Sequence, residues 1–391
     1  MTTDTLLTSG HSTLSAPVEF LPGDPERLQP EEIGIALCLS GGGYRAMLFH
    51  AGALIRMNEL KLLPTIDRCS SVSGGSIIAG KLALGWARLD FDSTGYARRL
   101  REEVIDPIRG LAGRTVDTVS ILGGIVTPGS IADKVTAAYR KHLFNKATLQ
   151  DLPDRPRFIF NATNVQSKSL WRFSKPYMWD WRVGKVANPQ VELAVAVAAS
   201  SAFPPVLSPL EMQLDPSSFT PGSGAGLQVE PYTSEVVLTD GGVYDNLGLE
   251  TAWKRYSTIW VSDAGGMYSA EADPKRDWLG HTKRVMDLID NQVRSLRKRQ
   301  LIGTFSAGLR EGAYWGIWSN IADYGLADAL PCPWEKTQVI AATPTRLKKL
   351  DGDTQERIIN WGYAVCDAAM RSFGKIAAGP PRQFLYAIGV G

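Results

Sequence analysis

Apolar residues along this chain gather in short runs that end at glycine turns, and they then reappear at helical spacing. Ile33 to Leu39 (IGIALCL) is such a run; it ends in Ser40-Gly41-Gly42-Gly43, and Ala46, Leu48, Phe49, Ala53, Leu54 and Met57 follow. The pattern predicts a strand, a glycine turn and a helix. It repeats at once, with a strand over Asp67 to Val72, a turn at Ser73-Gly74-Gly75 and an apolar helix from Ser76 to Arg88. Two consecutive strand–turn–helix units imply a parallel sheet with right-handed crossovers. Further strands are expected at Arg157 to Ala162, Ser169 to Phe173, Val236 to Thr239, Thr258 to Ser262 and Thr337 to Ala342. Further helices are expected at Val191 to Ser201, Leu247 to Tyr256, Leu279 to Arg299 and Gln355 to Phe373. Elements of both kinds alternate to the end, without a Gly/Ser linker or a repeat of fixed period. The expectation is one α/β domain over about residues 31–375, after a loose polar arm at 1–30 and before a tail at 376–391. One polar Gly/Pro/Ser stretch, at 213–232, is too long for an ordinary connection and reads as a flexible insertion or lid.

Composition narrows the class. A chain of 391 residues, 44% of them apolar, can bury a full core without disulfides or metal. With 42 Lys+Arg against 40 Asp+Glu, the net charge of +2 gives neither a polybasic surface for nucleic acid nor an acidic tail. Cys38, Cys69, Cys332 and Cys366 are too far apart for a C-x-x-C site and read as buried reduced thiols. The start, MTTDTLLTSGHSTLS, lacks the charged and apolar regions of a signal peptide. No stretch approaches the roughly 18 apolar residues of a membrane span. The expected location is cytoplasmic, with peripheral contact at the inner face of a membrane left open.

Three segments can carry chemistry. In Ser71-Val72-Ser73-Gly74-Gly75, a serine on a sharp strand-to-helix turn has its hydroxyl pushed out of the backbone, beside a helix N-terminus that favours negative charge. Ser71 stands where the G-x-S-x-G pattern wants glycine; an ordinary Gly/Ser turn is the plain alternative. In Ser40-Gly41-Gly42-Gly43-Tyr44-Arg45, consecutive glycines let backbone N–H groups converge on an anionic ligand or on an acyl-transfer oxyanion. The Lys-Ser/Thr of a phosphate-binding P-loop is missing, and a dinucleotide fingerprint fits only in its relaxed form, with Glu59 as a weak ribose acid. In Thr239-Asp240-Gly241-Gly242-Val243-Tyr244-Asp245-Asn246, an aspartate ends an apolar strand where ligands collect in a parallel sheet; taken alone it is as readily a cap or an Asx-turn.

Histidine separates the mechanisms. Of the four, His11, His50, His142 and His281, only His281 follows Asp240 as the Ser-Asp-His order of α/β-hydrolases requires. It opens a basic helix and does not sit on a loop past a strand. The simpler hypothesis is a dyad in which Asp240 is the base on Ser73.

Together and in this order, the three segments resemble the patatin-like phospholipase family. That family carries a G-G-G-x-R/K-G loop, a G-x-S-x-G elbow and a late D-G-G/A; the chain has Gly41-Gly42-Gly43-Tyr44-Arg45-Ala46, Ser71-Val72-Ser73-Gly74-Gly75 and Asp240-Gly241-Gly242. Ala198-Ala199-Ser200-Ser201-Ala202-Phe203-Pro204-Pro205 also looks like the family's A-S-x-x-x-P segment, which lies near the catalytic pair. The match spans about residues 33–250. Ser71 and Ala46 depart from the pattern; both are small, so crowding is expected and not loss of the turn. The resemblance implies a three-layer α/β/α sandwich with a mostly parallel central sheet. It implies calcium-independent cleavage of (lyso)phospholipid or other lipid esters through an acyl-enzyme, with no cofactor or metal. Ser73 would attack, Asp240 would take its proton and later activate water, and the Gly41, Gly42 and Gly43 loop with Arg45 would hold the oxyanion. Ser71 and Gly75 would flank the elbow.

Two further features bear on a lipid surface. Ala313 to Trp318 (AYWGIW) with Tyr324 concentrates aromatics that suit either a headgroup boundary or a core. The helix with Lys283, Arg284, Arg294, Arg297, Lys298 and Arg299 against Asp287 and Asp290 suits either a solvated face or anionic headgroups. Two rival functions remain at this point: a regulatory module binding a lipid or anion without turnover, and a thioesterase or other serine hydrolase on the same scaffold.

Overall fold

The computed structural model describes residues 32–116, 128–253, 255–267 and 270–391; the arm at 1–30 lies outside them. The strands are β1 (Glu32–Leu39), β2 (Arg68–Val72), β3 (Arg157–Asn164), β4 (Ser169–Phe173), β5 (Tyr177–Asp180), β6 (Gly184–Ala187), β7 (Leu210–Gln213), β8 (Glu235–Asp240), β9 (Tyr256–Asp263) and β10 (Glu311–Gly316). The α-helices are α1 (Gly43–Glu59), α2 (Gly74–Gly85), α3 (Asp106–Ala112), α4 (Pro128–Tyr139), α5 (Leu193–Ser200), α6 (Gly242–Asp245), α7 (Glu250–Trp253), α8 (Trp278–Ser306), α9 (Trp334–Ala341) and α10 (Gly352–Ser372).

The strands form one sheet in the order β10-β9-β1-β2-β3-β4-β5-β6, with β8 on β3 and β7 on β8. From β10 to β3 every pairing is parallel. Beyond β3 the sheet continues as an antiparallel extension. Alternate residues of β1 enter different cores, because strand side chains alternate between faces. Leu37 and Leu39 join the larger core with α1, α2 and α10; Ala36 and Cys38 join a smaller one with Leu247, Leu249, Ala252 and Leu301. Helices therefore cover both faces of a mostly parallel sheet, and the α/β/α layering expected of the sequence is present.

Two expected elements differ: of the helix expected over Leu247 to Tyr256, only Glu250–Trp253 (α7) is helical among the described residues, and Tyr256 already belongs to β9. Thr337 to Ala342 is not a strand but lies in α9, which starts after Pro333. Thr337, Ile340 and Ala341 are buried while Val339 is exposed, the i, i+3, i+4 spacing of a helix face. The aromatic stretch at 313–318 is interior: Ala313, Trp315 and Ile317 are fully buried on and after β10, and Trp361 Nε1 donates to the Ile317 carbonyl at 2.8 Å. The 213–232 stretch is tied to the β5–β6 hairpin by bonds from Thr220 N to Lys185 O (2.8 Å) and from Leu227 N to Arg182 O (3.1 Å). The 376–391 tail is held on α10, where Asn360 Nδ2 donates to the Tyr386 and Gly389 carbonyls, both at 2.8 Å.

Candidate active site

Strand register brings the serine and the aspartate together. β2 runs parallel to β3 and ends with Val72 opposite Asn161. β8 runs antiparallel to β3 and ends with Asp240 opposite Ala162. The other edge of this part of β3 is taken by β4. So β2 and β8 approach head-on along one edge of β3 and stop at adjacent β3 residues, and the chain leaves both strands at Ser73 and Asp240. No local sequence pattern contains that convergence.

A single segment clamps both ends. The Ser73 N–H donates to the Ser200 carbonyl and to Ser200 Oγ, each at 3.1 Å. Gly241 N–H also reaches the Ser200 carbonyl (3.2 Å), and Asp240 N–H reaches the Ala202 carbonyl (2.9 Å). Ser200 Oγ donates to Asn161 O at 2.6 Å and meets Ser76 Oγ at 2.8 Å. Ser71 joins this network: its hydroxyl accepts from Ser76 Oγ (2.9 Å) and donates to Ile159 O (3.1 Å). The substitute for the first elbow glycine is thus hydrogen-bonded into the wall of the turn, and the expected crowding does not occur there.

The turn itself is strained. Ser73 has φ 53° and ψ −120°, which a residue with a Cβ rarely adopts, at a cost of roughly 1–3 kcal/mol. Strain of this kind persists only where the surroundings impose it, and here the glycine loop does so. A Cβ on Gly75 would stand 2.7 Å from the Ser40 carbonyl, and one on Gly41 would stand 3.0 Å from Ser73 Cβ. Loop, elbow and strand ends are therefore packed backbone to backbone.

Asp240 is buried, and its Oδ1 accepts the Gly242 N–H at 2.7 Å. Among the described residues, the buried Oδ2 has no hydrogen-bond partner of ordinary geometry. The Ser73 hydroxyl is still near enough to ease the carboxylate's charge. Burial pushes Asp240 up to about 7, opposed by the Gly242 N–H and the Ser73 hydroxyl and assisted by the like charge of Asp290 on α8. A carboxylate poised near neutrality beside a hydroxyl suits proton transfer.

The loop residues divide by their bonds. Gly41 N–H is taken by the Asn246 carbonyl at 3.1 Å. Arg45 lies buried with Nη1 on the Ala341 (3.1 Å) and Thr343 (2.6 Å) carbonyls and Nη2 on Ala264 O (2.9 Å). Gly41 and Arg45, expected to help hold an oxyanion, are both engaged within the protein: the first amide donates elsewhere, and the guanidinium braces the loop against the C-terminal part of the chain. Among the described residues no acceptor is recorded for the Gly42 or Gly43 N–H. Gly42 (φ 144°) and Gly43 (φ 60°) hold backbone conformations that favour glycine, and a Cβ would meet Ala264 O at 2.6 Å or Arg346 O at 2.7 Å. Replacing Arg45 by alanine is expected to cost about 2–3 kcal/mol of stability in chemical denaturation, with no rescue by lysine, because one ammonium cannot reproduce the fork.

Neither His50 nor His281 is placed as a third member beside Ser73 and Asp240. His50 is buried with Nε2 donating to the Ser40 carbonyl (2.9 Å) and Nδ1 accepting from the Ser262 hydroxyl (2.8 Å). Burial depresses it to about 4, so it is neutral and its nitrogens are engaged. His281 is exposed in the first turn of α8, roughly 13 Å of helix from Asp290. The cysteines offer no alternative nucleophile, since burial pushes all four thiols up.

Sequence reasoning singled out Ser73, Asp240 and the glycines but missed what fixes them. Ser200 and Asn246 lay inside the quoted segments, and the small Ser76 beside the elbow was a further signal. Asn161, which donates to Ser70 Oγ and the Ser71 carbonyl, both at 2.9 Å, carried none.

A family model described as Patatin-like phospholipase matches residues 37–253. No curated protein matches the chain. Among solved structures, human GIVD cytosolic phospholipase A2 is 14% identical over 85% of this chain and 60% of its own, with a TM-score of 0.48. The same human protein in complex with methyl gamma-linolenyl fluorophosphonate is 15% identical over 88% of this chain and 57% of its own, with a TM-score of 0.46. VipD from Legionella pneumophila is 14% identical over 89% and 67%, with a TM-score of 0.36. The chain spans about 60% of the length of the human phospholipase. The matched family stretch covers over half of the chain and holds the glycine loop, the Ser73 elbow and the Asp240 turn, and on that ground the chain belongs to the patatin-like phospholipase family.

Proposed function

We propose that the protein is a lipid acyl hydrolase that cleaves carboxylic esters of phospholipids or lysophospholipids through a Ser73–Asp240 dyad. The observation that carries this reading is the meeting of β2 and β8 on β3, which sets a strained serine beside a buried carboxylate poised near neutrality. In the proposed first step, Asp240 takes the Ser73 proton as Oγ attacks the ester carbonyl. The tetrahedral oxyanion receives the Gly42 and Gly43 N–H groups, which cost no reorganisation because the loop is already fixed. Collapse expels the alcohol, which takes the proton back from Asp240 and leaves an acyl-Ser73 ester. Water, deprotonated by the same carboxylate, then attacks that ester and releases the fatty acid. Phe203 and Val243, close in sequence to Ala202 and Asp240, are exposed apolar side chains of the kind that suits acyl chains.

Because the charge is met by backbone amides, hydrolysis is expected to persist in a calcium chelator. The direct test is release of fatty acid from phosphatidylcholine and its lyso form, followed by mass spectrometry with and without chelator. Release only from a thioester or a soluble ester, or from none, would overturn the lipid assignment.

Two expectations arise from the site. Only ionised Asp240 can accept the proton, so kcat/KM should rise with pH through a midpoint near 7. Asp290→Asn removes a like charge and should move that midpoint to lower pH; an unmoved midpoint would detach the profile from Asp240. Gly42→Ala or Gly43→Ala should displace the loop and lower kcat on the order of 10²–10³-fold with little change in KM. A raised KM with kcat intact would make the loop a substrate anion site instead.

A further inference from the structure

The glycine loop is anchored by its carbonyls. In a planar trans peptide the C=O and the N–H point in opposite directions, so a bond that holds one fixes the aim of the other. The Ser40 carbonyl accepts from His50 Nε2 at 2.9 Å, and the N–H of the same peptide, that of Gly41, donates to the Asn246 carbonyl. In the next peptide the Gly41 carbonyl accepts from Ser40 Oγ at 3.2 Å. In the one after it the Gly42 carbonyl accepts from the Ala46 N–H at 3.3 Å. Across from these last two carbonyls stand the Gly42 and Gly43 N–H groups, for which the described residues supply no acceptor. Anchoring stops where an oxyanion is to be met.

The anchors are themselves fixed from several sides. Ser40 Oγ accepts from the Ala264 N–H at 2.7 Å, so its own proton is left for the Gly41 carbonyl. Ser40 N–H donates to the Ser262 carbonyl at 3.1 Å, and the Ser262 hydroxyl stands 2.8 Å from His50 Nδ1. The Ser40 carbonyl can only accept, so the imidazole carries its proton on Nε2 and offers a lone pair to Ser262. Ser40, His50 and Ser262 are all fully buried. Burying polar side chains costs free energy that apolar ones would not. Around His50, α1 also buries Met47, Leu54 and Met57, so packing alone would be met by another apolar side chain there. What the imidazole adds is a donor for one carbonyl, held in one tautomer by Ser262.

We infer that Ser40 and His50 are positioning residues of the reaction: His50 fixes the peptide that opens the loop, and the Ser40 hydroxyl turns the next one so that the Gly42 N–H is aimed at the oxyanion. Neither side chain touches substrate. The inference rests on the acyl-hydrolase reading for its oxyanion, though any ester attacked by Ser73 would call on the same amides. It gives the buried polar network at the ends of β1 and β9 a role that holding two strands together does not require.

The test compares Ser40→Ala, His50→Leu and His50→Gln in the full chain, on a soluble short-chain ester and on phosphatidylcholine. Rates are taken per site that a fluorophosphonate labels to completion, so that unfolded protein is not counted. A second readout is affinity for a trifluoromethyl ketone, to which Ser73 Oγ adds while Asp240 takes the proton, leaving a tetrahedral oxyanion for the same amides. Ser40→Ala and His50→Leu should lower kcat about 10–100-fold with KM within about twofold, as expected for misaimed donors. Ketone affinity should fall by the same factor, because the adduct uses the amides as the transition state does. His50→Gln, whose carboxamide can donate to the Ser40 carbonyl and accept from Ser262, should recover most of both. If Ser40→Ala does not fold, the two His50 variants carry the test. Unchanged kcat, a raised KM with kcat intact, or a lost rate with ketone affinity unchanged overturns the inference. So does His50→Gln performing no better than His50→Leu. A parent active on the soluble ester but not on phosphatidylcholine removes the lipid reading and leaves the positioning inference standing, whereas a parent active on neither removes both.

Discussion

Ser73→Ala is expected to remove esterase turnover, by on the order of 10⁴-fold or more, while leaving the fold intact. The position explains both halves of that expectation. The Ser73 hydroxyl bears on the Asp240 carboxylate, whereas the turn is held by the Ser73 backbone N–H, which Ser200 accepts twice. Alanine inherits the same φ of 53° and therefore the same strain, so nothing is gained or lost in the turn. Ser73→Gly makes the sharper control: it should be equally inactive yet more stable by about 1 kcal/mol, because glycine tolerates that backbone. Activity of Ser73→Ala on a short acyl ester would show that another residue attacks.

Asp240→Asn is expected to cost about 10²–10⁴-fold in kcat, the usual range for a lost general base. It should also stabilise the protein above neutral pH. The folded carboxyl titrates near 7, against roughly 3.9 in the unfolded chain, so the folded state binds the extra proton in that window. This group's contribution to stability is therefore present below about pH 4 and is lost as pH rises through about 7. Asparagine has no such loss, and the variant's advantage in urea denaturation should grow from pH 4 to 7 and then level off, at roughly 1–4 kcal/mol. A rate loss with a stability gain separates a base from a residue that only supports the turn. His281→Ala should change neither; a loss equal to that of Asp240→Asn would restore a triad.

The sequence carried the fold class because its parallel units are local: each strand, glycine turn and helix lies within a short window. The candidate site residues were legible for the same reason, since Ser73 directly follows one strand, Asp240 ends another, and glycines come after each. What joins them was not legible. The head-on meeting of β2 and β8 depends on β3, whose partners are distant in sequence. Arg45 suggested an anion contact because a basic residue after glycines allows one, and its three carbonyl partners lie near 264 and 341–343. Thr337 to Ala342 is apolar enough for a strand or a helix, and only the pattern of burial decides it. The period of α8 announced a helix correctly, but periodicity does not say which face meets the body. There the answer came from Glu250, Asp263 and Tyr314, which fix the charged side inward.

The central claim, that Ser73 is an activated nucleophile, is tested most directly by a fluorophosphonate probe with mass-spectrometric mapping of the adduct. The account predicts one labelled peptide, modified at Ser73, with labelling slowed in Asp240→Asn and accelerating as pH rises through about 7. Label on any other residue, or an unlabelled Ser73 in a protein that still hydrolyses esters, would contradict it.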